Sequence, residues 1–144
     1  MRDRKLEAVC TGQIRYRGGY KYQLLEDARF YTDIPYYDIG NQFIHLFPSG
    51  LLTISKGYAW DGSTGVPDTK ESMRASLVHD ALLQLAHEGL ISSSWKPDID
   101  AAYHKLCLKD GMWRGRAWWR YKGVVKFGSA EPALNDNKPE YTAP

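Results

Sequence analysis

A glycine-rich segment followed by a histidine–aspartate pair is the part of the sequence best suited to chemistry. The segment runs from Gly57 to Asp68 and contains Asp61, and His79 and Asp80 come at the eleventh and twelfth positions after it. Glycines let a backbone turn sharply and approach a ligand, while an imidazole and a carboxylate can exchange a proton or bind a cation. We therefore expect the functional site where this segment meets the element that carries His79.

Two kinds of catalytic chemistry fit these residues, and a structural role is the alternative to both. As a general base, His79 takes a proton while Asp80 or Asp100 orients its ring and Asp61 lies nearby. As ligands of a divalent metal ion such as Zn²⁺ or Mn²⁺, the candidates are His79, Asp80, Asp100 and His104. A core histidine that is simply hydrogen-bonded to a carboxylate is the third interpretation. The cofactor is unknown at this point, with a divalent metal ion as one alternative.

Arg74 lies within an otherwise apolar arc of the predicted helix, where a guanidinium needs a partner. By position along the chain the nearest candidate is Asp61, so we predict an Arg74–Asp61 ion pair. Three residues close to the glycine-rich segment are predicted to contact a ligand: Arg74, Trp60 and Ser76.

A basic and aromatic segment is a second candidate surface. Between Lys109 and Lys126 there are six basic residues and one acid, Asp110. Such a mixture suits phosphate groups or single-stranded nucleic acid, through charge and stacking. A solvated helix face is commoner, so nucleic acid is not the partner we expect. The candidate ligand contacts in this segment are Trp119, Arg116 and Arg120.

The spacing of these features resembles that of one family. The pattern reads Gly57-Tyr58-x-Trp60-Asp61-Gly62-x-x-Gly65, then Arg74-x-Ser76-x-x-His79-Asp80-x-Leu82, then Asp100, then Gly123-x-x-x-Phe127-Gly128. Over about residues 55 to 128 it resembles the phage and prophage family called domain of unknown function 1353. The resemblance implies a small protein encoded by a bacteriophage or prophage, and it supplies no settled activity. The chain departs from the family pattern after Asp80, where Leu83 begins a segment without the usual tyrosine.

The elements that position these residues divide the chain into two parts. From Gly12 to Tyr58, short runs of alternating apolar residues predict antiparallel strands, with hairpin turns at Gly18-Gly19 and Pro48-Ser49-Gly50. From Asp68 onward the period becomes helical. The first helix is predicted to run from an N-cap at Asp68 to about His87, ending at Gly89, the second from Pro97-Asp98 to Gly111, and the third roughly from Trp113 to Phe127. The third helix is predicted to bury Trp113, Ala117, Trp118, Tyr121, Val124 and Val125.

The fold class that follows is α+β, with an N-terminal antiparallel sheet packed against about three C-terminal helices. Residues 1–128 are predicted to form a single domain and residues 129–144 a flexible tail, because the tail is rich in proline and poor in apolar residues. A length of 144 residues suits one core. The two cysteines, Cys10 and Cys107, lie too far apart in sequence to indicate a zinc finger or a disulfide scaffold.

Composition narrows the function only partly. The net charge of +2 is too small to indicate nucleic acid by itself, and no apolar run has the length of a membrane span. The leading hypothesis is a phage accessory protein that binds a small ligand, a host protein or a metal ion in the cleft between residues 57–68 and the helix bearing His79. The alternatives are a metal-dependent hydrolase of a phosphate ester, nucleotide or cell-wall bond, and a virion or assembly component. We expect the protein in the host cytoplasm or associated with the virion, and its oligomeric state is open.

Overall fold

The computed structural model describes residues 14, 16–17, 22–61 and 69–127. Antiparallel sheets occupy the N-terminal part of these residues and three α-helices the C-terminal part, which confirms the α+β prediction. Four predictions fall outside the described residues. They concern the Gly18-Gly19 turn, most of the glycine-rich segment (62–68), any structure at Asp68, and the tail (129–144).

The strands form a three-stranded sheet in the order β1-β2-β7 and a four-stranded sheet in the order β3-β6-β5-β4, and every described pair is antiparallel. Their bounds are β1 (Tyr16–Arg17), β2 (Tyr22–Leu24), β3 (Ala28–Tyr31), β4 (Ile39–Gly40), β5 (Ile44–Leu46), β6 (Leu51–Ile54) and β7 (Ala59–Trp60). In β5, Ile44 and Leu46 are buried while His45 between them is partly exposed. This alternation is the period of two that a pleated strand imposes.

The hairpin between β5 and β6 turns where the sequence predicts it. Leu46 pairs with Leu52, so the chain reverses over residues 47–50. Gly50 has a φ of +90°, and a Cβ atom at this position would collide with the carbonyl oxygen of Thr32. The amide of Thr32 donates a hydrogen bond to the Gly50 carbonyl at 2.8 Å. Glycine is therefore required here both for the turn and for its close approach to the chain after β3.

The three predicted helices are confirmed, with one correction to a helix start. They are α1 (Lys70–His87), α2 (Lys96–Lys109) and α3 (Arg114–Phe127), with a 3₁₀ turn (Ser93–Trp95) before α2. The N-cap of α1 is Thr69 rather than the predicted Asp68, because the Ser72 hydroxyl accepts the Thr69 amide at 3.0 Å. Among the described residues, no helix is long and apolar enough to cross a membrane.

The helices form consecutive antiparallel pairs. Side chains early in α1 contact residues at the end of α2, and those in the middle of α1 contact the start of α2, as Arg74–Asp110 and His79–Asp100 show. Buried residues of the sheets and of all three helices join in one apolar cluster. The link from strand to helix is also polar, since the Tyr58 hydroxyl donates to the Gln84 side-chain oxygen at 3.1 Å.

The predicted buried face of α3 is partly wrong. Ala117 and Val124 are buried as expected, but Trp113 and Trp118 are 76% and 56% exposed, and Val125 is also exposed. The main packing partner of α3 is α2, so only a narrow stripe of α3 faces the core. Apolar residue type alone does not indicate which side of a helix that stripe occupies.

The two-point partner of Arg74 is Asp110, just after α2, and not the predicted Asp61. The Arg74 Nε and Nη2 atoms donate to the two carboxylate oxygens of Asp110 at 2.9 and 2.6 Å. Both side chains are largely buried, at 17% and 16% exposure. The antiparallel approach of α2 explains the difference, because it brings a residue from 36 positions away in sequence to the first turns of α1.

We predict that Asp110→Ala lowers the free energy of unfolding by about 3 kcal/mol, since it leaves a largely buried guanidinium without its two-point partner. Lys105→Ala is the matched control. Its pair with Asp33 is exposed and 3.6 Å long, so we expect a loss of less than about 1 kcal/mol. Urea unfolding followed by circular dichroism measures both values, and equal effects of the two substitutions would contradict the assignment.

Candidate functional site

His79 and Asp100 form a direct contact between two of the predicted site residues. The His79 Nε2 atom lies 2.7 Å from Asp100 Oδ1, across the interface of α1 and α2. Their side chains are only 6% and 2% exposed. An ionised carboxylate can only accept hydrogen bonds, so a hydrogen bond at this contact requires a proton on Nε2. In the neutral tautomer that meets this requirement, the lone pair is on Nδ1.

Lys96 completes this contact and was missed by the sequence analysis. Its ammonium group pairs with Asp100 Oδ2 and also donates to the Val124 carbonyl oxygen of α3 at 3.3 Å. The edge of Tyr103 packs against the His79 ring, with centroids 5.5 Å apart. The i,i+4 spacing of Lys96 and Asp100 on one helix was the available signal in the sequence. We call Lys96, Asp100 and His79 the buried triad.

Asp61 and Asp80 belong to a second group, which surrounds Tyr58. Burial raises the pKa of the Tyr58 hydroxyl well above its ordinary value, and the carboxylates of Asp80, Glu88 and Asp61 raise it further because they oppose a phenolate. The charges of Asp61, directly after β7, and of Asp80, on α1, therefore act on the same hydroxyl group. Because Asp80 directly follows His79, this group and the buried triad occupy neighbouring positions on α1.

The four predicted metal ligands do not converge. Among the described residues, which include His79, Asp80, Asp100 and His104, no group of three or more side chains could hold a metal ion. The two oxygens of Asp100 face His79 and Lys96, and an ammonium group occupies the place that a cation would take. His104 instead stacks on Tyr121 of α3 at 4.9 Å, and burial lowers its pKa. The four residues therefore do not form one cluster in the described part of the chain, and their role as metal ligands remains a prediction.

Trp60 and Ser76, two predicted ligand contacts, are bonded to each other in the core. The Trp60 indole donates to the Ser76 hydroxyl at 3.0 Å, and that hydroxyl donates to the Met73 carbonyl oxygen at 3.0 Å. Both side chains are almost fully buried. This bond fastens β7 to α1, and contact of either residue with a ligand remains a prediction.

Cys107 is a buried residue of α2 whose thiol is held in the neutral form. Burial raises its pKa to about 12, and this outweighs the nearby charge of Arg120, which acts in the opposite direction. Since the thiolate is the nucleophilic form of cysteine, Cys107 is suited to packing and not to nucleophilic catalysis.

Arg120 lies in the interior, although the sequence places it on the polar side of α3. The residue is 3% exposed, and its Nε and Nη1 atoms are enclosed with no hydrogen-bond partner among the residues that the structure describes. Arg116 and Trp119, the other predicted contacts of this helix, are on the surface. A buried guanidinium with unsatisfied nitrogens is costly, because the group has lost its hydration without gaining a partner.

Comparison with known proteins assigns no family to the chain: no family, no curated protein and no solved structure matches it. The resemblance to domain of unknown function 1353 accordingly remains a prediction.

We predict that Arg120→Met raises the free energy of unfolding by about 1 to 4 kcal/mol, because methionine keeps the apolar contacts of the side chain and removes the unsatisfied charge. Arg116→Met, at an exposed position of the same helix, should change it by less than about 0.5 kcal/mol. Chemical unfolding of the two variants measures the difference. A loss of stability in Arg120→Met would show that the guanidinium is satisfied in solution.

Proposed function

We propose that the protein is a hydrolase in which His79 is the general base and Asp100 the residue that positions it. The observation that carries this proposal is the 2.7 Å contact between His79 Nε2 and Asp100 Oδ1. That contact fixes the ring orientation and directs the free lone pair to Nδ1. An oriented imidazole is the side chain best suited to exchange protons near neutral pH.

Lys96 supports the same role. It occupies the second oxygen of Asp100, so the carboxylate cannot rotate away from His79 without losing an ion pair. Enclosing three ionisable groups between helices is less favourable than filling that space with apolar side chains. A histidine held by a carboxylate is also the arrangement that orients a general base, which supports a catalytic role for the triad.

The reaction step needs only water as the second reactant. The His79 Nδ1 lone pair takes a proton from water as the water oxygen bonds to the electrophilic atom of the substrate. The bond from that atom to the leaving group then breaks, and the imidazolium returns the proton to the leaving group. His79 is the catalytic residue in this scheme, and Asp100 and Lys96 are positioning residues.

The geometry favours the general-base form of the hydrolase hypothesis over the metal-dependent form. Within the described residues the candidate ligands form no group of three or more, and the carboxylate of Asp100 is already engaged by His79 and Lys96. Phosphate esters, nucleotides and cell-wall bonds all remain candidate substrates, since hydrolysis of each needs an activated water.

We further infer an accessory role in a bacteriophage or prophage, which rests on the sequence resemblance. Binding of a small ligand or host protein in the cleft is supported by the charges of Asp61 and Asp80, which both raise the pKa of the Tyr58 hydroxyl. Residues 62–68 of that cleft lie outside the described residues. The host cytoplasm and the virion are both consistent with such a role.

We predict that His79→Gln lowers kcat by about 100-fold or more on any substrate the protein hydrolyses, which is the usual contribution of a general base. Glutamine can still donate a hydrogen bond to Asp100, so the fold should survive. The assay uses p-nitrophenyl phosphate, bis-p-nitrophenyl phosphate, nucleoside triphosphates, p-nitrophenyl acetate and purified peptidoglycan. Circular dichroism melting curves confirm that the variant is folded.

The control is His45→Gln, which removes a histidine paired with Asp38 at 2.8 Å on the exposed surface. It should leave kcat unchanged. Two results would contradict the proposal: a wild-type protein that turns over none of these substrates, or a folded His79→Gln variant with the wild-type rate.

A further inference from the structure

The outer surface of α3 carries exposed indole rings. Trp113, directly before α3, and Trp118 and Trp119, within it, are 76%, 56% and 57% exposed, and Val125 of α3 is also exposed. A helix that only meets solvent seldom presents three tryptophans, because each leaves a large apolar area in water. We call these three residues, together with Arg116, Lys122 and Lys126, the tryptophan face.

The charge on this surface has one sign. From Gly111 to Phe127 the sequence contains five basic residues and no acidic residue. Arg114, Arg116 and Lys122 are exposed, and within the described part of the chain no carboxylate pairs with them. Lys122 lies instead over the Trp118 ring, with its Nζ atom 5.4 Å from the ring centroid. The surface therefore attracts anions and offers flat rings beside its cations.

Aromatic and basic groups alternate around the helix instead of forming separate stripes. At about 100° per residue, Lys122 lies about 40° from Trp118 and about 60° from Trp119, between the two. The Trp113 ring reaches the same side, since a Cβ atom at Gly115 would collide with it. A cation is thus flanked by indole rings on both sides.

We propose that the tryptophan face binds single-stranded nucleic acid. Its phosphates match the basic side chains, and its unstacked bases can pack on the indole rings. A helix that lies on a membrane surface has an apolar face separate from its basic face, and here the two are interleaved. An acidic protein would match the charge but would leave the flat rings without stacking partners.

The size of the surface suits a short segment of nucleic acid. The 14 residues of α3 extend about 21 Å, which is the length of a few nucleotides of single strand. This inference reverses the expectation that α3 is an ordinary solvated helix. The exposure of Trp113 and Trp118, which the sequence pattern placed in the core, is the reason.

The test is fluorescence anisotropy of the full chain with a labelled oligothymidylate of about 12 nucleotides, long enough for one site. We expect binding that is stronger than to a duplex of equal length, because duplex bases are already stacked. Trp118→Ala and Trp119→Ala should each weaken binding about tenfold, and both should leave the melting curve unchanged since these rings are exposed.

Two double variants, each lacking two positive charges, distinguish binding at the tryptophan face from nonspecific electrostatic attraction to the rest of the protein. Arg116→Ala with Lys122→Ala should lower the slope of log affinity against log salt by about 1.4, the value for two lost phosphate contacts. Arg29→Ala with Lys56→Ala removes two exposed charges from the sheet part and should leave the slope unchanged.

Three results would overturn the proposal. The first is no binding of the oligonucleotide at about 50 mM salt. The second is wild-type affinity for the oligonucleotide in both the Trp118→Ala and the Trp119→Ala variant. The third is tighter binding to heparin, or to vesicles of phosphatidylcholine and phosphatidylglycerol, than to the oligonucleotide.

Discussion

The carboxylate of Asp100 ties the three helices together. One oxygen contacts His79 on α1, and the other pairs with Lys96, whose ammonium group also reaches the Val124 carbonyl oxygen of α3. The group is almost fully buried, so its charge needs both partners. This constraint fixes how α1, α2 and α3 approach one another, and it fixes the orientation of the imidazole on which the proposed chemistry depends.

The sheets and the second polar group build on that arrangement. The side of α1 that carries His79 packs against α2. Elsewhere on α1, Ser76 accepts a hydrogen bond from Trp60 and Gln84 accepts one from Tyr58, both in the sheet part. A displacement of α1 would therefore alter its contacts with α2 and its contacts with the sheet part at the same time. The position of Asp61 and Asp80 around Tyr58 is thus coupled to the buried triad through one helix.

Local patterns were sufficient to predict the fold class and the helices. Alternating residues in β5, the turn ending at Gly50 and the helix ends near Gly89 and Gly111 all depend on interactions over a few residues, which the sequence shows directly. The burial of α3 could not be predicted in this way. A sequence pattern counts every tryptophan as an apolar, buried residue. The packing of α2 against α3 determines that Ala117 and Arg120 face inward while Trp118 does not.

The site was predictable in residue type but not in pairing. His79 and Asp100 were recognised as candidates because a histidine and a carboxylate commonly act together. The pairing of Arg74 with Asp110 instead of Asp61, and the separation of His104 from His79, follow from the antiparallel approach of helices distant in sequence. The only sequence signal for Lys96 was its i,i+4 spacing from Asp100, and its contact with the Val124 carbonyl group depends on the packing of α3.

The most direct test of the proposed role of Asp100 is the tautomer of His79, measured by two-bond ¹⁵N–¹H correlation spectra of histidine-labelled protein near pH 7. The His79→Gln variant assigns the signal. The structure predicts a proton on Nε2 and none on Nδ1, and the Asp100→Asn variant should lose this preference. A proton on Nδ1 in the wild-type protein, alone or with one on Nε2, would contradict His79 as a base held ready by Asp100.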